Sequence, residues 1–250
     1  MKLAVAGATG VVGQHVVTAA HEAGHDVVSL SRSLGLDLTD RASLRGVLNG
    51  VTAVIDVSNP SKFSRRAAAD FFTVVTNNLI AESTKASVEH FVSLSIVGID
   101  RASAYGYYQA KLLQEAAVKA SAVPSSIVRA TQFHEFAGQI LHRVRIGPFA
   151  LVPHMQIQSV AARCVGELLV ETATGAPLPT TLEVAGPDVG DVVDHARLMS
   201  QRRHGPRVIA LPVIGKFAHL VNSGVLLPTI GARTVGPGFY TWLDTATLKQ

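Results

Sequence analysis

Cys164 is the single cysteine in 250 residues, so no intrachain disulfide is available and nothing resembles the stapled framework of a small secreted domain. Long apolar runs are missing as well. Although 48% of the residues are hydrophobic, Gly, Asp, Arg or Ser interrupts each run well before the roughly 20 residues that a spanning helix needs. No membrane segment is expected. A strand pattern begins within the first few residues, leaving no space for a secretory leader, and a cytoplasmic protein is the expectation. Charge of one sign is also scarce: 22 Lys and Arg against 18 Asp and Glu give a formal +4. The basic residues are scattered apart from the pairs Arg65-Arg66 and Arg202-Arg203, without the basic and aromatic pattern of a nucleic-acid binder. The expected partner is therefore a small-molecule substrate rather than nucleic acid, with homodimer formation left open.

Two kinds of catalytic centre are absent from the pattern. No Gly-x-Ser-x-Gly elbow marks a serine hydrolase. His21-Glu22-Ala23-Gly24-His25 spells the zinc-protease motif, but Gly24 should end the helix and so separate the two histidines. His195 and His204 lack ligand spacing, and Cys164 lies in an apolar helical pattern that reads as core. No metal is expected.

What is present is alternation. Leu3–Ala6, Val27–Leu30, Ala53–Val57, Phe91–Ser95 and Ser126–Arg129 are short, mostly continuous apolar runs, as in parallel strands buried on both faces. Between them, Val11–Ala23, Arg41–Leu48, Phe63–Ser87 and Ala104–Ala120 carry apolar residues at three- and four-residue steps and predict crossover helices. Asp40 and Ser103 stand at N-cap positions, and Gly24 and Gly50 at helix ends. Right-handed crossovers then give an α/β fold with a doubly wound parallel sheet. After Ala130, prolines interrupt the pattern, and helices are predicted at Val160–Glu171 and Val192–Gln201. The expected organisation is one domain over 1–250, with 1–130 as the dinucleotide-binding core and 131–250 completing the sheet and forming a small C-terminal cap.

Gly7-Ala8-Thr9-Gly10-Val11-Val12-Gly13 follows the first strand and opens the first helix. Gly7 allows the tight turn, Gly10 the approach of a pyrophosphate to the backbone, and Gly13 close packing of helix on strand. The helix start offers N–H groups and partial positive charge to the phosphates. At the end of the second strand, where NAD-binding chains place an acid, this one reads Leu30-Ser31-Arg32-Ser33. A guanidinium and two hydroxyls favour a 2′-phosphate, so NADP(H) is expected over NAD(H). Asp37-Leu38 and the strand end Asp56-Val57-Ser58-Asn59 lie at carboxyl-terminal edges where adenine and ribose should sit.

With these elements the chain resembles the atypical, NmrA-like branch of the short-chain dehydrogenase/reductase superfamily, a Rossmann fold. The resemblance rests on the glycine turn, on Phe91–Ser95, on Tyr107-Tyr108-Gln109-Ala110-Lys111, and on Ile127–Phe133. It implies that Ser95 polarises a substrate carbonyl and Tyr107 transfers the proton. Lys111 would lower the tyrosine pKa and hold the nicotinamide ribose. Positions i and i+4 share a helix face, which suits such a pair. Ser93 is the alternative to Ser95, and Tyr105 or Tyr108 to Tyr107. Gln132, Phe133 and His134, after the fifth strand, are expected on the substrate side of the cleft. The implied activity is hydride transfer between NADP(H) and a small carbonyl or quinone. NmrA-like proteins that sense NADP without turnover set the alternative, and nucleotide-sugar epimerisation ranks last because the cap looks short for it.

Overall fold

The computed structural model describes residues 1–102, 105–212 and 224–247. In its first half, β1 (Lys2–Ala6), α1 (Gly13–Glu22), β2 (Asp26–Leu30), β3 (Ala53–Asp56), α2 (Arg65–Lys85), β4 (His90–Ile96), α3 (Gly106–Lys119) and β5 (Ser125–Ala130) follow in order. The second half runs α4 (Phe136–Arg143), β6 (Arg145–Ile146), β7 (Phe149–Pro153), β8 (Gln156–Ile157), α5 (Ala162–Thr174), β9 (Leu182–Ala185), β10 (Gly190–Asp191), α6 (Val192–Arg202), β11 (Arg207–Leu211), β12 (Arg233–Thr234) and α7 (Phe239–Thr247). The chain divides into two compact units: Met1–Arg129 with Arg163–Leu182, and Ala130–Ala162 with Glu183–Gln250.

In the first unit the strands lie in the order β5-β4-β3-β1-β2. Pairing is parallel, with Leu3 beside Ala53, Ala6 beside Asp56 and Asp56 beside Ser93. Leu3 to Ala6 and Ala53 to Ile55 are fully buried, which is why these strands read as unbroken apolar runs. One face buries Ala4, Ala6, Val54 and Phe91 against Leu44, Val75, Leu79 and Val118. By the two-residue strand period, Leu3, Val5 and Ile55 face the other side. There α1 packs on β1 and β2. Helix α5 crosses α1 at Gly166, where a Cβ would lie 2.9 Å from the carbonyl carbon of His15. Because β1 has β2 on one side and β3 on the other, strand order reverses there and opens a crevice at the carboxyl ends of the strands.

Several expected boundaries shift for local reasons. Arg41–Leu48 is not a helix: Asp40 caps a short 3-10 turn, Arg41–Leu44, by accepting from Ala42 N at 2.9 Å. Left-handed Gly46 and Gly50 then turn the chain, although Leu44 and Leu48 still reach the core. Helix α2 is capped by Ser64 and α3 starts at Gly106 behind Tyr105. The cap expected at Ser103 and the helix start at Ala104 lie outside the described residues. Helix α1 stops at Glu22 and Gly24 is left-handed, with φ +76°, so His21 and His25 do not share a helix.

The second unit has its own core, in which Ala137, Ile140 and Leu141 of α4 meet Val192, Val193, Ala196 and Met199 of α6, Ala150 and Val152 of β7, and Phe239 and Leu243 of α7. Strands β11 and β7 pair in parallel, β6 runs antiparallel to β7, β9 pairs with β12, and β8 with β10. The expected helices at Val160–Glu171 and Val192–Gln201 correspond to α5 and α6, whereas α4 and α7 lie in stretches the sequence reading left irregular. Cys164, expected in the core, is only half-buried on α5. Among the described residues no helix is long and apolar enough to cross a membrane.

Candidate functional site

The glycine turn is shaped by what its glycines lack. Gly7 has φ +82°, and a Cβ there would come within 2.8 Å of Ser58 Cα. At Gly13 a Cβ would meet the Gly7 carbonyl oxygen at 2.0 Å, and at Gly10 the same oxygen at 3.2 Å. Gly7 N donates to Leu30 O at 2.9 Å, fastening the turn to the end of β2, and Gly10 N donates to Gly7 O at 2.9 Å. The helical ladder begins with Gln14 N donating to Gly10 O. Among the described residues the amides of Val11 and Val12 make no backbone hydrogen bond, the arrangement that receives a phosphate at a helix start. A concave backbone with spare donors fits a pyrophosphate.

Beside the turn, the end of β2 supplies hydroxyls. Ser31 Oγ and Ser33 Oγ lie 2.9 Å apart, and Ser33 Oγ donates to Thr9 Oγ1 at 3.1 Å. Arg32 occupies a 3-10 turn with its side chain 70% exposed, and its Nε is 3.9 Å from Asp37 Oδ2. Hydrogen bonds from Thr39 hold the Asp37 carboxyl below its ordinary range. An exposed pair of this kind contributes little by itself, so the guanidinium is free to exchange Asp37 for a stronger anion.

Four residues at the end of β3 form the middle of the site. Asp56 is fully buried, and its Oδ1 accepts from Ser58 N at 2.9 Å, holding the turn that Gly7 packs upon. Burial pushes the Asp56 carboxyl up, with Ser58 and the Lys111 charge pulling back. Ser58 Oγ is buried without a partner. Asn59 Oδ1 accepts from Tyr107 Oη at 2.7 Å. The tyrosine ring leans on Phe72 and Phe63, with centroids 5.8 and 5.5 Å away.

Lys111 is held from inside the fold. Its Nζ donates to Leu94 O at 2.7 Å and to Gln114 Oε1 at 2.5 Å, and stands 4.6 Å from the Phe72 ring centroid. Only 5% exposed, it loses hydration, and burial lowers its pKa to about 8 despite Asp56 and Glu115 nearby. The Tyr107 hydroxyl is pushed upward by burial and by Tyr108. In this structure the ammonium is held by Leu94 O of β4 and by Gln114, on the inner side of α3. Ser95 and Ser93 are both buried with unpartnered hydroxyls. Burial pushes Tyr108 up to about 12, and Tyr105 is 40% exposed. Tyr107 is the tyrosine whose hydroxyl donates to Asn59 in the turn after β3.

Gln132, Phe133 and His134 belong to the second unit. Gln132 Oε1 is buried without a partner, while Gln132 O accepts from Val160 N. His134 is 1% exposed and occupied at both ring nitrogens. Pro237 O, 3.1 Å from Nε2, can only accept, which assigns the proton to Nε2 and leaves Nδ1 to accept from Ser159 Oγ at 2.8 Å. His195 lies 3.5 Å from the same hydroxyl and stacks on Phe239 with centroids 3.8 Å apart. Burial, then the neighbouring His134, lowers the His195 pKa to about 4.

That shift fixes a pH dependence. Between the folded value of about 4 and the ordinary 6.5, the unfolded chain binds a proton that native His195 refuses. Its contribution is present above pH 6.5 and lost as pH falls towards 4, up to about 3 kcal/mol. Chemical unfolding at pH 7 and 4.5 is expected to show this loss in the wild type and a smaller one in His195→Asn. Buried Glu135, whose pKa is raised, acts with the opposite sign, so the difference between the two proteins is the measure.

Sequence reasoning missed Gln114. It stands three residues after Lys111 on the buried face of α3, and a polar residue at that helical step was the available signal.

The comparisons with known proteins agree with this geometry. No curated protein sequence matches the chain. Among solved structures, UDP-N-acetylglucosamine 4-epimerase from Bacillus cereus superposes with TM-score 0.72 at 16% identity, over 100% of this chain and 96% of that one. Triphenylmethane reductase from Citrobacter sp., complexed with NADP(H), gives 0.70 at 16% identity over 97% and 100%. A short-chain dehydrogenase/reductase superfamily protein from Agrobacterium tumefaciens with bound NAD gives 0.70 at 15% over 99% and 96%. The fold is thus the one the resemblance implied. The model of the NAD(P)H-binding family covers residues 7–172, well over half of the sequence and all of the site from the glycine turn to Lys111, and the chain belongs to that NAD(P)H-binding family.

Proposed function

We propose that the protein is an NADP(H)-dependent oxidoreductase that interconverts a small carbonyl or quinone and its reduced form by hydride transfer, with Tyr107 as the proton donor in the reducing direction. The observation that carries this reading is a convergence: Gly7 packs on Ser58, and the Tyr107 hydroxyl bonds to Asn59, the next residue. Tyr107 thereby stands beside the cradle. The amides of Val11 and Val12 would hold the pyrophosphate, Thr9, Ser31, Arg32 and Ser33 the adenosine phosphate, and Val57, Ser58 and Asn59 the middle of the cofactor. When bound, the nicotinamide supplies or accepts a hydride. Ser95 would orient the substrate oxygen, Tyr107 would deliver the proton to it, and Lys111 would contribute positive charge from the end of β4.

Calorimetry with NADPH and NADH, followed by turnover on ketones, aldehydes and quinones, tests the reading. Tight NADPH binding without turnover would favour a sensor instead. Retention of cofactor with interconversion of nucleotide sugars would favour an epimerase. Absence of binding to either nucleotide would end all three. The cofactor preference has its own check. Losing a charge-assisted hydrogen bond at Arg32→Ala is expected to weaken NADPH by about 10- to 100-fold and to leave NADH within about twofold. Equal weakening of both would show that Arg32 does not read the 2′-phosphate.

A further inference from the structure

Gln114 is 1% exposed, and its amide is used at both ends. Its Oε1 accepts from Lys111 Nζ at 2.5 Å, and its Nε2 donates to Asp56 Oδ2 at 2.9 Å. The amide dipole thus presents its negative end to an ammonium and its positive end to a carboxylate, so one neutral group joins two buried charges. Such a geometry is specific. Burying an amide unpaired is costly, and an apolar side chain would fill the same space without that penalty.

The connection continues past Asp56. The other carboxylate oxygen accepts from Ser58 N at 2.9 Å, and the following residue, Asn59, accepts from the Tyr107 hydroxyl. Since Tyr107 and Lys111 are one helical turn apart on α3, a closed circuit runs from Lys111 through Gln114, Asp56 and the turn back to Tyr107.

We propose that Gln114 is a positioning residue of this site: it holds the Lys111 ammonium at the end of β4 and ties it, through Asp56, to the turn that carries Asn59. The inference rests on the reading of Lys111 and Tyr107 given above. Charged groups act on Nζ from two elements, Asp56 on β3 and Glu115 on α3; α2 contributes the Phe72 ring. Glu115 is taken by Arg129, whose Nε and Nη2 donate to its two oxygens at 2.8 Å each. The Gln114 oxygen is therefore the nearest negative pole to the ammonium, and removing it should make the charged lysine harder to keep.

The test is a pH titration by NMR of the full-length protein carrying 13C-labelled lysine, with the Lys111 signal assigned by its loss in Lys111→Met. The wild-type midpoint is expected near 8. Gln114→Leu should lower that midpoint by about one pH unit, and Gln114→Glu, which places a carboxylate beside Nζ, should raise it by about as much. Opposite displacements support the proposal, because a residue needed only for packing would not reverse sign with charge. An ordinary lysine midpoint in the wild type, or midpoints indifferent to both substitutions, overturns it. Should Gln114→Leu fail to fold, the wild type and Gln114→Glu decide by the same criteria. Failure of NADPH binding would sink the proposed function while leaving the lysine midpoints standing, so the two ideas fail separately.

Discussion

Gly13→Ala is expected to abolish NADPH binding and to destabilise the protein by at least about 2 kcal/mol, as overpacking against immobile neighbours does. The added Cβ would sit 2.0 Å from Gly7 O and 2.8 Å from Gly7 C. Those are backbone atoms of a turn tied to Leu30 O, so no side chain can swing away to make room. Either α1 lifts from β1 or the turn opens, and both outcomes move the amides of Val11 and Val12 away from the phosphate position. Gly24→Ala is the control. Gly24 also has a positive φ, +76°, but nothing lies within 4 Å of its Cβ position, so the substitution should carry about 1 kcal/mol of backbone strain and leave NADPH binding unchanged. Thermal unfolding together with nucleotide titration separates the two variants. Equal binding by Gly13→Ala and wild type would mean that the cradle is not the cofactor site.

Tyr107→Phe is expected to lower turnover by about 10²- to 10⁴-fold, the usual contribution of a positioned proton donor, with NADPH affinity kept within about threefold. The ring supplies the packing on Phe72 and Phe63, which phenylalanine reproduces, whereas the hydroxyl supplies only the bond to Asn59. The pH profile sharpens the assignment. Burial keeps the Tyr107 phenol protonated well above neutrality, while the Lys111 ammonium is lowered to about 8. A decline in reduction rate above pH 8 is therefore expected to follow loss of the lysine proton, and the tyrosine should not titrate in that range. A Tyr107→Phe enzyme with wild-type turnover would move the proton donor elsewhere in the site.

Much of the first unit was legible because its signals are local. Gly7, Gly10 and Gly13 declare a backbone shape through the side chains they omit, and that shape needs no distant partner to be read. The strands of β1, β3 and β4 were equally plain, since burial on both faces requires apolar residues at every step. Arg41–Leu48 misled for the opposite reason: Leu44 and Leu48 have helical spacing because both reach the core, yet Gly46 and Gly50 let the chain get there by turns. In the second unit α4 and α7 were passed over because their flanks are rich in proline and glycine. Ala137, Ile140 and Leu141 of α4 and Phe239 and Leu243 of α7 share one core with α6.

The sequence by itself determined the parallel strands, the glycine turn between β1 and α1, the place of Arg32 after β2 and the helical step that joins Tyr107 to Lys111. Only the tertiary structure decided where those two side chains point. Lys111 turns inward to Leu94 O and Gln114, and Tyr107 meets Asn59, because hydrogen bonds in a buried space depend on groups from β3, β4 and α3 that lie tens of residues apart in the chain. Spacing along one helix fixes a shared face, but the partners that hold a charge on that face, and so set its pKa, arrive from other strands.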